Sequence, residues 1–259
     1  MLNKWIGGNR IFLVFFILLG IAGGIFYVTN LKKLPDYGAP PYTEDDQEPL
    51  DGYKYPDFSD WKRPDGPYKV AVQVGHWKSN ELPDELSKLR VSSGTSNGRT
   101  AEWEVNLKIA EETKKILESE EIVVDILPAT IPPMYWADVF IAIHADGSDS
   151  SYTSGFKVAA PRRDMTNKAG ELVSIIRDEY GKGTGLSEDP NISRSMTGYY
   201  AFNWRRYEHA VHPMTVSAIL ETGFLTNPSE ARMLVNNPEI PARAIANALT
   251  RFLEGHIVL

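Results

Sequence analysis

Cysteine is absent from all 259 residues. No disulfide can staple the fold, and no thiolate can serve as metal ligand or nucleophile, which excludes zinc fingers, iron–sulfur sites and Cys–His proteases. Positive charge is also scarce: 27 Lys and Arg face 34 Asp and Glu. Lys4 and Arg10 are the only charged residues among the first 30, so the remainder carries 25 basic and 34 acidic residues, a net of −9. That field repels a polyanion and argues against nucleic acid as a partner. Histidine is rare, with five in the chain, so the placement of each is informative. What is plentiful is apolar: hydrophobic residues make up 42%. The composition supplies a core and does not match disorder, collagen or coiled coil.

Residues 11–28 run for 18 positions without a charge or a proline. At about 1.5 Å per residue a helix of that length spans roughly 27 Å, close to the hydrocarbon thickness of a bilayer. Residues 1–30 are therefore read as a membrane anchor contacting the lipid bilayer through 11–28. A cleaved signal peptide is the alternative, with Lys4 and Arg10 as its basic start and Gly20 and Ala22 as small residues for cleavage. Lys32 and Lys33 balance Lys4 and Arg10, so charge does not set the orientation. Residues 31–67 read as a spacer: seven of the 17 prolines fall between Leu34 and Pro67, with an acidic cluster at Glu44, Asp45, Asp46 and Glu48. Fixed φ angles and like-charge repulsion make such a segment stiff and extended. The alternative for its later half is that Tyr53, Tyr55, Phe58 and Trp61 pack onto the following domain.

Residues 68–259 alternate short β-rich runs with helical patterns. Strands are expected at 69–74, 122–127, 139–144, 155–160 and 216–221. Helices are expected at 103–118, 167–180, 228–235 and 241–253. The last is the clearest, because Ala242, Ile245, Ala246, Leu249, Phe252 and Leu253 follow the helical rhythm behind Pro241. The alternation predicts an α/β fold, a mainly parallel twisted sheet flanked by helices.

In such sheets function gathers where strands end. Val74-Gly75-His76, Ile143-His144-Ala145-Asp146 and Leu220-Glu221-Thr222-Gly223 each close an apolar strand with a histidine or a glutamate. Two imidazoles and a carboxylate match the ligand set of a catalytic zinc, which keeps one position open. The start of the first long helix offers Glu102 and Glu104, about 200° apart around a helix, so only one can face the site. Spacing does not choose between them.

The segments Val74-Gly75-His76, Glu102-Trp103-Glu104-Val105-Asn106-Leu107, Ala137-Asp138-Val139-Phe140-Ile141-Ala142-Ile143-His144 and Glu221-Thr222-Gly223-Phe224-Leu225-Thr226-Asn227 resemble, in order, the motifs of zinc-dependent N-acetylmuramoyl-L-alanine amidases of the type-3 family of bacterial cell-wall hydrolases. The resemblance covers essentially all of 68–259. It implies Zn2+ held by His76, Glu102 and His144, with Glu102 preferred because the family's liganding Glu lies four residues before an Asn, here Asn106. It implies that Glu221 is the catalytic glutamate, and that the substrate is the bond joining N-acetylmuramic acid to L-alanine of the peptidoglycan stem peptide. A single-pass anchor with a monomeric catalytic domain on the extracytoplasmic side fits that substrate.

The chain departs from the family around its first histidine, where Trp77 and Lys78 replace two glycines and place bulk beside the metal. Ile131-Pro132-Pro133-Met134-Tyr135-Trp136 stands where the family lines part of its groove with a helix, here expected to be shortened. Asp146 replaces a common Asn. These departures motivate two alternatives: a catalytically silent wall-binding or regulatory module, and a zinc peptidase acting on free peptides. His209 and His212 are read as a solvated loop, Arg162-Arg163 and Arg205-Arg206 as solvated pairs with a carboxylate-binding alternative, and Trp103, Trp136 and Trp204 as core.

Overall fold

The computed structural model describes residues 57–256. The expected anchor at 11–28 and most of the spacer lie outside the described residues; among these, no helix is long and apolar enough to cross a membrane. The elements run β1 (Lys69–Val74), α1 (Glu102–Glu118), β2 (Val123–Leu127), β3 (Val139–Asp146), β4 (Lys157–Ala159), α2 (Ala169–Thr184), β5 (Val216–Phe224), α3 (Pro228–Asn236) and α4 (Glu239–Glu254). They build a five-stranded sheet of order β2-β1-β3-β5-β4. β2, β1, β3 and β5 are mutually parallel and β4 runs antiparallel along β5. The expected α/β architecture with a mainly parallel sheet is what forms.

The strands form where apolar residues are continuous, because both faces of the sheet are covered. Val70, Val72, Val74, Val139, Ile141, Ile143, Ala218 and Leu220 face a cluster shared with α1, α2 and α4. Ala71, Phe140, Ala142, Ala159 and Ile219 face a second cluster. That side is covered by short 3₁₀ turns, Asp84–Leu89 and Tyr200–Phe202 among them, and by loops. Each fully buried Leu, Ile or Phe contributes roughly 1.5–3 kcal/mol, which makes α4 a main anchor through Ile245, Leu249, Phe252 and Leu253. It begins at Glu239, two residues before Pro241.

Two strands outrun their expected ends. β3 continues past His144 to Asp146 and β5 past Glu221 to Phe224, with a register shift between His144 and Asp146. At the shift Ala145 gives its N–H to the Glu102 carboxylate instead of the ladder. β4 is shorter than expected: Gly155, at φ 117, gives its N–H to Glu230 and stays out of the ladder.

The end of the expected spacer lies against the domain. Phe58 meets Trp204 and His212 edge-on, at 6.1 and 5.5 Å between ring centres, and Trp61 stacks on His212 at 5.9 Å. Arg63 grips Asp138 through two bonds of 2.5 and 3.0 Å, and Asp138 also accepts the Lys69 N–H that opens β1. Phe58 and Trp61 thus take up the packing considered as the alternative for this stretch.

Candidate metal centre

β1 ends at Val74, and the chain turns through Gly75 into His76, which adopts a left-handed φ of 62°. Such a backbone costs a non-glycine residue about 1–2 kcal/mol, so surrounding contacts must hold it. Gly75 is obligatory for a different reason: a Cβ there would fall 2.5 Å from the His144 ring. The two imidazoles consequently stand edge to face, 5.0 Å between centres.

Glu102 is the first residue of α1, 3% exposed. Its Oε1 lies 3.0 Å from His144 Nδ1 and its Oε2 lies 3.6 Å from His76 Nε2. It also accepts N–H bonds from Thr95 at 2.8 Å and Ala145 at 3.1 Å. Glu104 turns away and caps the helix by accepting the Ala101 N–H. The choice that spacing left open therefore falls on Glu102. One donor atom from each of His76, Glu102 and His144 lies within 4.8 Å of the others.

The second nitrogen of each ring is spoken for. His76 Nδ1 is 3.1 Å from the Ser92 carbonyl, which only accepts, so Nδ1 carries the proton and Nε2 presents its lone pair toward Glu102. His144 Nε2 is 3.1 Å from the Tyr199 hydroxyl, leaving Nδ1 toward Glu102. Fixing one ring nitrogen so that the other can ligate is the usual support of a metal-binding histidine. Burial lowers the His76 pKa, with the charge of Glu102 opposing. Burial also disfavours charge on His144, but the bond to and charge of Glu102 outweigh it and raise the pKa. Burial works against the Glu102 anion too; the His144 bond and the neighbouring charges nevertheless hold its pKa below the usual value.

Glu221 lies directly across from His144 in the β3–β5 ladder, so both side chains leave the same face of the sheet. Its Oε2 is enclosed and, among the described residues, has no hydrogen-bond partner. Burial pushes its pKa up to about 8, with His144 pulling down and Glu102 and Asp146 pushing further up. Lys157, paired with Glu221 across β4–β5, spends its ammonium on Asp146 and Asp189.

His209 bonds Glu85 at 2.9 Å while His212 sits among Phe58 and Trp61, so the pair does not converge. Trp136 and Trp204 are half-buried under those same two aromatics. Trp77 packs against the helix-side core, its carbonyl accepting the Ala129 N–H. Residues 131–136 contain no helix, as their two prolines dictate. Sequence reading missed Tyr199, Ser92, Thr95 and Gly94, none of which carries a local signal of the contact it makes.

The elements that carry these donors fall within a single family match. The N-acetylmuramoyl-L-alanine amidase family model, Amidase_3, matches residues 70–251. The chain belongs to this family. Solved amidases share the fold. AmiC2 of Nostoc punctiforme aligns at a TM-score of 0.54 and 17% identity, covering 74% of this chain and 99% of that one. The catalytic domain of CwlV from Bacillus (Paenibacillus) polymyxa var. colistinus gives 0.52 and 20%, covering 72% and 98%. The apo form of Ami1 from Mycobacterium abscessus gives 0.52 and 18%, with the same coverage. No curated protein sequence matches the chain. The amidase match begins at the first core residue of β1 and ends in α4, so all four site positions fall inside it.

Proposed function

We propose that this amidase cleaves the bond between N-acetylmuramic acid and L-alanine of the stem peptide with a zinc ion held by His76, Glu102 and His144. One observation carries the reading: three donors from three separate segments meet within 4.8 Å beside a glutamate oxygen that no described residue engages. The donor set fits zinc: two imidazole nitrogens and a buried carboxylate, with the other nitrogen of each ring already tied. When bound, zinc at such a set acidifies water and polarises the scissile carbonyl. Glu221 accepts the water's proton and returns it to the departing amine, since an amide nitrogen leaves only when protonated. The unpartnered Oε2 suits that shuttle because no existing bond must break first. A silent module would have no use for a free, buried carboxylate beside an intact donor set.

The chain acts as a monomer tethered by residues 11–28, on the side of the membrane where the wall lies. Chains lacking residues 1–30 should leave the membrane fraction, and equal retention would overturn the anchor. The chemistry is tested by pairing metal analysis with a muropeptide digest. Glu221→Ala should keep zinc and lose hydrolysis, whereas His144→Ala should lose both. Wild-type cleavage by Glu221→Ala would remove the assignment of the proton shuttle.

A further inference from the structure

We infer that a cavity built on the loops that also hold the donor set receives the free carboxylates of the stem peptide, through Arg99 and Arg232. This assignment rests on the muropeptide being the substrate. The cavity encloses about 680 Å³, within the usual size of ligand sites. One wall is the loop that precedes α1: Thr95 gives its N–H to Glu102, and the next residues, including Asn97 and Arg99, face the cavity. The other wall is the exit of β5 and the flank of α3, including Thr226 and Arg232. Thr226 accepts the Ser148 N–H, and Gly147 is so close to Thr95 that a Cβ would fall 2.3 Å from its hydroxyl. Cavity and donor set are thus built on the same loops.

The charge pattern is specific. In a chain with 34 acidic residues, none lines this cavity. Arg63, Arg90, Arg177 and Arg251 are each held by a carboxylate, whereas among the described residues no acidic partner holds Arg99 or Arg232. A guanidinium presents a fork that matches a carboxylate in two bonds. The bond to be cut has L-alanine on its amine side, so the peptide that continues from there carries its ionised carboxylates past the site. In a protein of net charge −7 those anions need a local cation, and the two arginines provide one over an apolar floor of Leu225, Ala231 and Val235.

The test uses the full-length chain loaded with zinc and two synthetic muramyl tripeptides, identical except that every stem carboxylate is free in one and a carboxamide in the other. Wild type should show a KM about fivefold lower for the free-carboxylate peptide, the upper end for an exposed ion pair. Arg99→Gln combined with Arg232→Gln should erase that preference by raising KM for the free-carboxylate peptide. Arg99→Lys combined with Arg232→Lys should keep part of it. The assignment is overturned if wild type shows no preference, or if Arg99→Gln with Arg232→Gln keeps it. Calorimetric titration of both peptides separates this from the reaction itself. Arginine-dependent binding without cleavage would sink the amidase chemistry and keep the cavity, whereas cleavage with arginine-independent discrimination would do the reverse.

Discussion

Gly94 and Gly98 sit in one loop at nearly the same left-handed backbone angle, φ 72° and 83°, yet they face different surroundings. A Cβ on Gly98 would meet nothing within 4 Å. A Cβ on Gly94 would fall 2.3 Å from Glu102 Oε2 and 2.7 Å from His76 Cδ2. Alanine at either position costs about 1–2 kcal/mol for the backbone alone. Gly98→Ala should therefore lower stability by that amount and leave metal affinity unchanged. Gly94→Ala carries the same backbone cost and a second one. Glu102 cannot swing aside cheaply, because Oε2 accepts the Thr95 N–H at 2.8 Å and Oε1 accepts from Ala145 at 3.1 Å. Moving the carboxylate or the His76 ring spoils the donor set, and losses of this kind weaken metal binding by about 10–100-fold. Urea unfolding of the metal-free proteins measures the first effect, and competition against a chromophoric zinc chelator measures the second. If Gly94→Ala and Gly98→Ala bind zinc equally well, the packing argument for the loop is wrong.

Two further perturbations probe the same centre. Glu221 has a folded-state pKa of about 8 against an ordinary value of 4.5, so between these values the folded metal-free chain holds a proton that the unfolded chain has released. Its contribution favours the fold at the low end and is lost as pH rises through that window, on the order of a few kcal/mol at most. Metal-free Glu221→Gln should accordingly melt near wild type at about pH 5 and clearly above it at about pH 8.5; a gap independent of pH would refute the sign. Tyr199→Phe strips His144 Nε2 of its partner, and zinc affinity should fall by about tenfold with little change in melting temperature. Unchanged affinity would remove Tyr199 from the support of the site.

Much of this site could be read from local pattern alone. His76, His144 and Glu221 each follow an apolar run, so a polar residue there announces itself even though β3 and β5 run on past the last two. Glu102 was not separable from Glu104 by spacing, because both are reasonable at a helix start. Only the loop before the helix decides, by closing Thr95 over one carboxylate and leaving Glu104 to cap Ala101. Tyr199 was unreadable for a plainer reason: its bond to His144 spans 55 positions, and it lies in irregular chain where no period exists to reveal a facing side. Gly94 looks like any glycine in a serine-rich loop until His76 and Glu102 are placed beside it.

The division of labour between the two sides of the sheet explains why legibility stops there. One side is closed by α1, α2 and α4, whose apolar stripes are periodic and therefore visible in sequence. The other is closed by short turns and loops. By alternation along β3 and β5, His144 and Glu221 belong to the same side as Phe140, Ala142 and Ile219, the loop-covered one. The strands that carry these residues are locked by the helical side, while Ser92, Thr95 and Tyr199 reach the donors from segments that pack no long helix. Rigid strands fix where the donors start, and loops fix how they point. Substitutions under the helices should therefore register mainly in unfolding, and substitutions among the loops mainly in metal affinity, because the two sides act on different degrees of freedom of the same four side chains.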